Sequence, residues 1–411
     1  MPTDRAQALN SPVKSTTASA GTRMAAMKIA IIRQRYNPYG GAERFVERAL
    51  GALVDQGAEV TLITRNWDGA PAAGFKQITC DPYYSKLIGG RVARDRSFAA
   101  SAQAEMAQGR FDITQSHERI PGCMIFRAGD GVHAAWLDHR ARALNPLQRL
   151  AQRLSPYHRY VLGAEKAMFE HPALKAVICN SHMVADEIVQ YYGVDRSKLH
   201  VIYNGVDTED FHPRLAGLHR SSTRQKLGVP ESAPVLLYVG SGYERKGVPQ
   251  LLAAFAQLNH PAAQLLIIGA DRKLKATQAQ VAKLGLAGRV HCLGPVQDVR
   301  PYYGAADGFV LPTIYDPCPN AALEAMACGL PMLTSQACGA REWVREGING
   351  WVVDVHDPEA LHRGLDRLCA ASGKEGMRQA ARAAVAHLDL PAMSERLLAL
   401  YRMLSSRAMS S

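Results

Sequence analysis

The tightest constraint on the fold is a unit that occurs twice. Lys28-Ile29-Ala30-Ile31-Ile32 is a short, almost wholly apolar run, the pattern of a strand covered on both faces in a parallel sheet. A loop ending in Gly40-Gly41 follows, and Phe45, Val46, Ala49, Leu50, Leu53 and Val54 then recur at helical spacing until Gly57. Val60-Thr61-Leu62-Ile63 reads as the next strand, completing a strand–helix–strand unit. The second half repeats it: Val235-Leu236-Leu237-Tyr238-Val239 runs into a glycine-bearing loop over 240–247, a helix over about 248–258 and a strand at Leu265-Leu266-Ile267-Ile268. Further strand-like runs at 289–293 and 308–311 extend the series. Two doubly wound α/β halves fit this pattern better than one large sheet.

The length agrees, because 411 residues make two domains at roughly 100–200 residues each. The predicted division is a disordered tail over 1–26, a first domain over 27–205, a second over 206–390, and a C-terminal helix over 391–411. The boundary falls at the turn-rich Tyr203-Asn204-Gly205-Val206-Asp207, ahead of a polar connection over 212–231. Leu397, Leu398, Leu400, Tyr401 and Leu404 give the last helix an apolar face expected to pack back on the first domain. The first 26 residues lack the apolar core of a secretory signal, and no apolar run is long enough to span a bilayer.

Lys and Arg number 48 against 37 Asp and Glu, a net charge of +11. Such an excess suits phosphate-rich or anionic partners: nucleic acid, a nucleotide, an anionic membrane or an acidic glycolipid. An aromatic share of 7% and the lack of any RNA-binding signature argue against nucleic acid. None of the eight cysteines forms a Cys-x-x-Cys pair, so buried thiols are expected rather than a zinc site.

Three segments can carry chemistry. Gly40-Gly41 lies between a first strand and its helix, where glycine lets backbone approach an anion; an ordinary turn is the alternative. Arg245-Lys246-Gly247 follows a strand's C-terminal end, where open α/β sheets bind ligands. Arginine there can fork across phosphate oxygens and lysine can add a point charge, or both can be solvated surface cations. Arg245 also occupies the third glycine position of a dinucleotide fingerprint, which argues against a nicotinamide cofactor. The third segment is Tyr315-Asp316-Pro317-Cys318-Pro319-Asn320-Ala321-Ala322-Leu323-Glu324. Asp316 lies in a loop and Glu324 one turn inside a helix, so both can border one cleft. The N–H groups of Asn320, Ala321 and Ala322 can meet phosphate or sugar oxygens. A capping Asp with an exposed Glu is the alternative.

Taken together, Gly40-Gly41, Arg245-Lys246-Gly247, and an acidic residue followed eight places later by Glu324 in Leu-Glu-Ala-Met-Ala-x-Gly-x-Pro resemble the retaining glycosyltransferases of family four. The resemblance covers about residues 27 to 405 and implies the GT-B fold, two Rossmann-like domains facing across a cleft. It implies that Glu324 holds the ribose of a nucleotide sugar and that Arg245 and Lys246 neutralise the departing diphosphate. It further implies that Gly40 and Gly41 approach the distal phosphate and that Asp316 orients the donor sugar. The family usually has Glu where this chain has Asp316. Catalysis of this kind is electrostatic stabilisation of a leaving group, with no catalytic metal and no cofactor, and no Asp-x-Asp occurs in the chain.

Within the family, Tyr39-Gly40-Gly41-Ala42-Glu43-Arg44, the stretch 240–248 and Ala128-Gly129-Asp130 resemble members that add the first glucose, from UDP-glucose, to the inner-core heptose of lipopolysaccharide. Other members build capsule or O-antigen. Asp130 then becomes a contact for the acceptor hydroxyl, and His117 and His133 are weaker candidates better read as structural histidines. Backbone around Pro295 to Asp298 is expected to contact the base. Between His139 and Ala164 the chain carries Arg140, Arg142, Arg149, Arg153 and Arg159 and no acidic residue. A helix starting near Pro146 places Leu147, Leu150, Ala151 and Leu154 on one face, which suits an interfacial helix on anionic lipid; a helix covering a domain core is the alternative. The expected location is the cytoplasm, peripheral at the inner face of the cytoplasmic membrane.

Overall fold

Apolar runs place two parallel sheets at the centre of the structure. The computed structural model describes residues 27–36, 53–54, 57–67, 75–80 and 90–408; the stretch 1–26, Gly40, Gly41 and most of the helix read from Phe45 onward lie outside them.

The first sheet contains β1 (Lys28–Ile32), β3 (Glu59–Thr64), β5 (Phe75–Thr79), β6 (Ile113–Ser116), β7 (Ile125–Ala128), β8 (Ala176–Cys179) and β9 (Leu199–Val201). Two short strands, β2 (Arg35–Tyr36) and β4 (Asn66–Trp67), pair separately. The spatial order is β5-β3-β1-β6-β7-β8-β9, with β1 parallel to both β3 and β6. The second sheet contains β10 (Val235–Val239), β11 (Gln264–Ile268), β12 (Val290–Gly294), β13 (Gly308–Leu311), β14 (Met332–Ser335) and β15 (Gly350–Val353), in the order β12-β11-β10-β13-β14-β15. In each sheet the strand order reverses beside the first strand of its half. Loops leaving the C-terminal ends diverge there and open a crevice. In the second domain the switch point lies between β10 and β13, so the loops over 240–247 and 312–319 share one crevice.

The segment 212–231 is not the polar connection expected from composition. It contains the helix Arg214–Leu227, whose polar look hides a buried guanidinium. Arg224 donates to the carbonyl oxygens of Ala305 at 3.0 Å, Glu231 at 2.7 Å and Ala233 at 2.9 Å, and to Asp307 Oδ2 at 2.8 Å. Its charge is neutralised and its donors are used, the condition for burying such a group.

The helix Leu390–Ala408 returns to the first sheet. Met393, Leu397, Leu400, Tyr401 and Leu404 share a core with Ile29, Ile31, Leu62, Ile113 and Ile178, and the Tyr401 hydroxyl donates to Gln115 Oε1 at 2.6 Å. The chain therefore crosses between domains twice, and the crossings touch: Val206 N donates to Leu388 O at 2.8 Å. A Cβ on Gly205 would stand 3.0 Å from Leu390 Cα, so glycine lets the two passes lie together.

Candidate functional site

On the second domain the site is built by two loops pressed against each other. Gly247 has φ +75°, and a Cβ there would lie 1.9 Å from the Pro312 carbonyl oxygen; only glycine permits this approach. Asp271 fixes the first loop by accepting the N–H groups of Gly242 at 2.7 Å and Tyr243 at 2.9 Å. Lys246 Nζ then lies 3.0 Å from Asp316 Oδ2 and Arg245 Nη1 3.6 Å from the same oxygen. Arg245 also donates to the Tyr315 carbonyl at 2.7 Å. Lys246 is largely enclosed, its side chain 12% exposed, whereas Arg245 is 39% exposed. Asp316 is buried.

The helix Asn320–Ala327 continues from this loop. Glu324 is buried and not the exposed glutamate of the alternative; it accepts the Tyr303 hydroxyl at 2.9 Å. Asn204, at the domain crossing, donates to Asn320 Oδ1 at 2.7 Å and to the Cys318 carbonyl at 3.2 Å. Arg127, buried in β7, donates to Asn204 Oδ1 at 2.7 Å. Burial, reinforced by the Arg33 charge, brings the Arg127 pKa down to about 10. Of the three N–H groups expected to meet a ligand, that of Ala322 is engaged by the Pro319 carbonyl at 3.1 Å, which closes the helix's first turn. Pro295 to Asp298 follow β12, with Asp298 paired to Arg300 at 2.9 Å.

The first domain faces this cluster across a cavity of about 380 Å³ lined by Asp130, His133, Trp136, Tyr157 and His158 on one side and by Arg245 and Asp316 on the other. Asp130 is the open member, its side chain 62% exposed and 4.0 Å from Arg33 Nη1. Its loop is held by Arg119, which donates to the Gly131 carbonyl at 3.0 Å and to the fully buried Glu165 at 2.7 Å. Glu165 also accepts the His133 N–H at 3.0 Å and the Tyr192 hydroxyl at 2.6 Å. His133 Nε2 lies 3.2 Å from His158 Nδ1. Burial, with Arg119 nearby, pushes the His133 pKa down to about 4, so its ring is neutral near pH 7. His117 contacts Gln115 at 2.9 Å, and burial holds it well below the usual histidine range. It is buried and does not line the cavity.

Asp316, Arg245 and Lys246 thus form one cluster, Glu324 stands on the adjoining helix, and Asp130 faces them. Tyr315, Asn204, Arg127 and Tyr303, which hold these groups, were not singled out from sequence. A charged residue inside the apolar run Ile125-Phe126-Arg127-Ala128 was a readable signal for one of them.

Two family descriptions match successive halves of the chain: Glycosyltransferase Family 4 over residues 39–210 and Glycosyl transferases group 1 over residues 219–384. The chain belongs to glycosyltransferase family four. Among its relatives, the lipopolysaccharide glucosyltransferase WaaG of Escherichia coli (strain K12) is 27% identical over 331 residues, covering 80% of this chain and 85% of the relative. The D-inositol 3-phosphate glycosyltransferase of Xylanimonas cellulosilytica is 27% identical over 389 residues, covering 86% and 92%. The crystal structure of WaaG superposes with a TM-score of 0.76 at 24% identity, covering 90% of this chain and 98% of that one. The fold is GT-B.

One further surface of this family-four glycosyltransferase stands out. The helix Pro146–Leu154 is capped by Asn145 through a reciprocal bond with Gln148, and none of its residues is buried. Its polar side leans on the protein, with Gln152 donating to the Leu137 carbonyl at 3.0 Å and Arg149 to the Ala141 carbonyl at 2.8 Å. Leu147, Leu150 and Leu154 face outward, 79%, 53% and 60% exposed. The helix covers no core. Among the described residues no helix is long and apolar enough to cross a membrane.

Proposed function

We propose that this enzyme transfers glucose from UDP-glucose to a heptose of the lipopolysaccharide core, with retention of anomeric configuration and without a catalytic metal. The observation that carries the reading is the convergence of Arg245, Lys246 and Asp316 at the switch point of the second domain, with Asp130 across the cavity. In this reading Arg245 and Lys246 stabilise the diphosphate as it leaves, and Asp316 orients the donor sugar. Glu324, steadied by Tyr303, holds the ribose, and Asn320, Ala321 and Ala322 border the nucleotide; the distal-phosphate role of Gly40 and Gly41 rests on the family resemblance. Asp130 meets the acceptor hydroxyl. The charge that develops on the leaving group meets fixed cations, so little reorganisation is needed during the reaction. The likeness to WaaG supports the glucose and lipopolysaccharide assignments.

The outward leucines of Pro146–Leu154 fit a peripheral attachment to the inner face of the cytoplasmic membrane, where the acceptor lipid would lie. Arg140 and Arg153 add attraction to anionic headgroups, whereas Arg142 is paired with Asp354 Oδ2 at 2.6 Å.

A second reading follows from the D-inositol 3-phosphate glycosyltransferase relative: a phosphorylated polyol in place of the heptose. UDP-glucose turnover, measured with lipopolysaccharide truncated at the inner-core heptose and separately with inositol phosphate, decides between the two. Wild type with and without EDTA and Glu324→Ala complete the test. Full activity in Glu324→Ala removes the nucleotide-site assignment, and loss of activity in EDTA contradicts the metal-free mechanism.

A further inference from the structure

Tyr315 is a residue at which the two walls of the cleft meet. Its backbone belongs to the loop after β13, directly before Asp316, and its side chain crosses into the first domain. There the hydroxyl donates to Glu187 Oε2 at 2.6 Å and accepts the Val132 N–H at 2.8 Å. Glu187 projects from the helix His182–Tyr192, and Val132 caps the helix His133–Ala141, two positions after Asp130. All three residues are buried.

Gly131 makes the approach close. It has φ +71°, and a Cβ there would stand 2.2 Å from the Tyr315 hydroxyl and 2.7 Å from Pro317 Cγ. The loop carrying Asp130 is therefore pressed directly onto the Tyr315 and Pro317 side chains of the loop carrying Asp316, with no room for a side chain at position 131. The Tyr315 carbonyl also accepts from Arg245 at 2.7 Å, so one residue touches the Asp130 loop, the Asp316 loop and the cation expected at the diphosphate. A phenylalanine would fill the same volume. The hydroxyl is costly to bury without partners, and here both its donor and its acceptor capacity are used by the opposite domain.

We propose that Tyr315 is a positioning residue for sugar transfer, its hydroxyl bridging Val132 and Glu187 so that the Asp130 loop and Asp316 are held at a fixed separation. Glu187 serves the reaction through Tyr315 alone. The inference rests on the glycosyl-transfer reading above. Reacting groups misplaced by about 1 Å cost roughly 10²-fold in rate. The nucleotide contacts assigned to Glu324, Arg245 and Lys246 belong to the second domain and only the distal-phosphate contact of Gly40 and Gly41 to the first, so most of the nucleotide affinity survives loss of the bridge. Attack on the donor by water does not depend on an acceptor placed by the first domain. Loss of the bridge therefore favours hydrolysis to UDP and glucose over transfer.

The test compares full-length wild type with Tyr315→Phe, Glu187→Ala and Glu187→Gln. UDP affinity is read by calorimetry, and UDP-glucose turnover with lipopolysaccharide truncated at the inner-core heptose. Exchange of the Val132 amide is read by hydrogen–deuterium methods. Tyr315→Phe and Glu187→Ala are expected to lower kcat for transfer by about 10²-fold, raise the hydrolysed share and leave most of the UDP affinity in place. Glu187→Gln, whose amide oxygen still accepts the tyrosine hydrogen, retains the wild-type rate. Wild-type kcat in Tyr315→Phe overturns the proposal, as does parallel loss of UDP affinity and transfer. If Tyr315→Phe does not fold, Glu187→Ala against Glu187→Gln carries the same decision. If wild type turns over no UDP-glucose, the glycosyl-transfer reading fails. Val132 exchange then decides the bridge: faster exchange in Tyr315→Phe supports it, and unchanged exchange overturns it.

Discussion

Lys246 Nζ lies 3.0 Å from Asp316 Oδ2, joining the loops that leave β10 and β13 at the switch point of the second sheet. Asp316 is buried, so Lys246, in the proposed reading the cation offered to a diphosphate, is also the group that keeps a buried carboxylate neutralised. Lys246→Met is expected to lower kcat with UDP-glucose by about 10²-fold, the order seen when one preorganised donor to a developing charge is removed. Initial-rate kinetics check it, and an unchanged kcat removes Lys246 from the leaving-group site.

Much of this arrangement is legible in sequence, for a physical reason. Strands covered on both faces must be apolar throughout, so Ile29–Ile32 and Val235–Val239 announce themselves, and the switch-point rule then points to the loops that follow. Asp316 and Glu324 are readable because a loop and a helix start sit close together in one segment. The residues that hold the site escape such reading because their partners are remote in sequence: Tyr315 with Glu187, Asn204 with Asn320, Tyr303 with Glu324. Periodicity also finds the two faces of the helix at Pro146 but not which one turns outward. That is set by Gln152 and Arg149 finding carbonyls on the preceding segment.

Arg224 and Asp307 form a buried pair at 2.8 Å, and Asp307 also accepts the Val235 N–H at 2.8 Å and pairs with Arg220 at 2.8 Å. Asp307→Ala strands a buried guanidinium and frees the start of β10. The expected loss is about 3–5 kcal/mol, read as a lower midpoint in urea unfolding. A loss below about 1 kcal/mol would mean that the carbonyl oxygens around Arg224 suffice without the carboxylate.

Glu187 has its pKa raised to about 7, chiefly by burial, against about 4.3 in an unfolded chain. Between those values the folded protein holds a proton that the unfolded chain has released, so stability falls as pH rises through this window. The group's contribution is fully present below about pH 4.3 and lost as pH passes 7, a change on the order of 3 kcal/mol. Glu187→Gln cannot lose that proton and is expected to be the more stable protein at pH 8 relative to pH 5, each compared with wild type. Thermal unfolding at the two pH values checks this; parallel shifts in both proteins would mean that Glu187 titrates at an ordinary value.

Leu147, Leu150 and Leu154 present a continuous apolar strip on a capped helix whose polar side is already bonded to the protein. Three solvent-facing leucines on successive turns have no folding role, so replacing them leaves stability almost unchanged. In a bilayer interface each leucine contributes about 1 kcal/mol or more through removal of apolar area from water. The triple change to serine is therefore expected to weaken binding to anionic vesicles on the order of 10²-fold. Arg153→Glu acts through charge alone, so its effect shrinks as salt rises, whereas the leucine effect persists. Vesicle sedimentation at low and high salt separates the two contributions. Equal binding by wild type and the triple variant at both salt concentrations would remove this helix from the membrane surface.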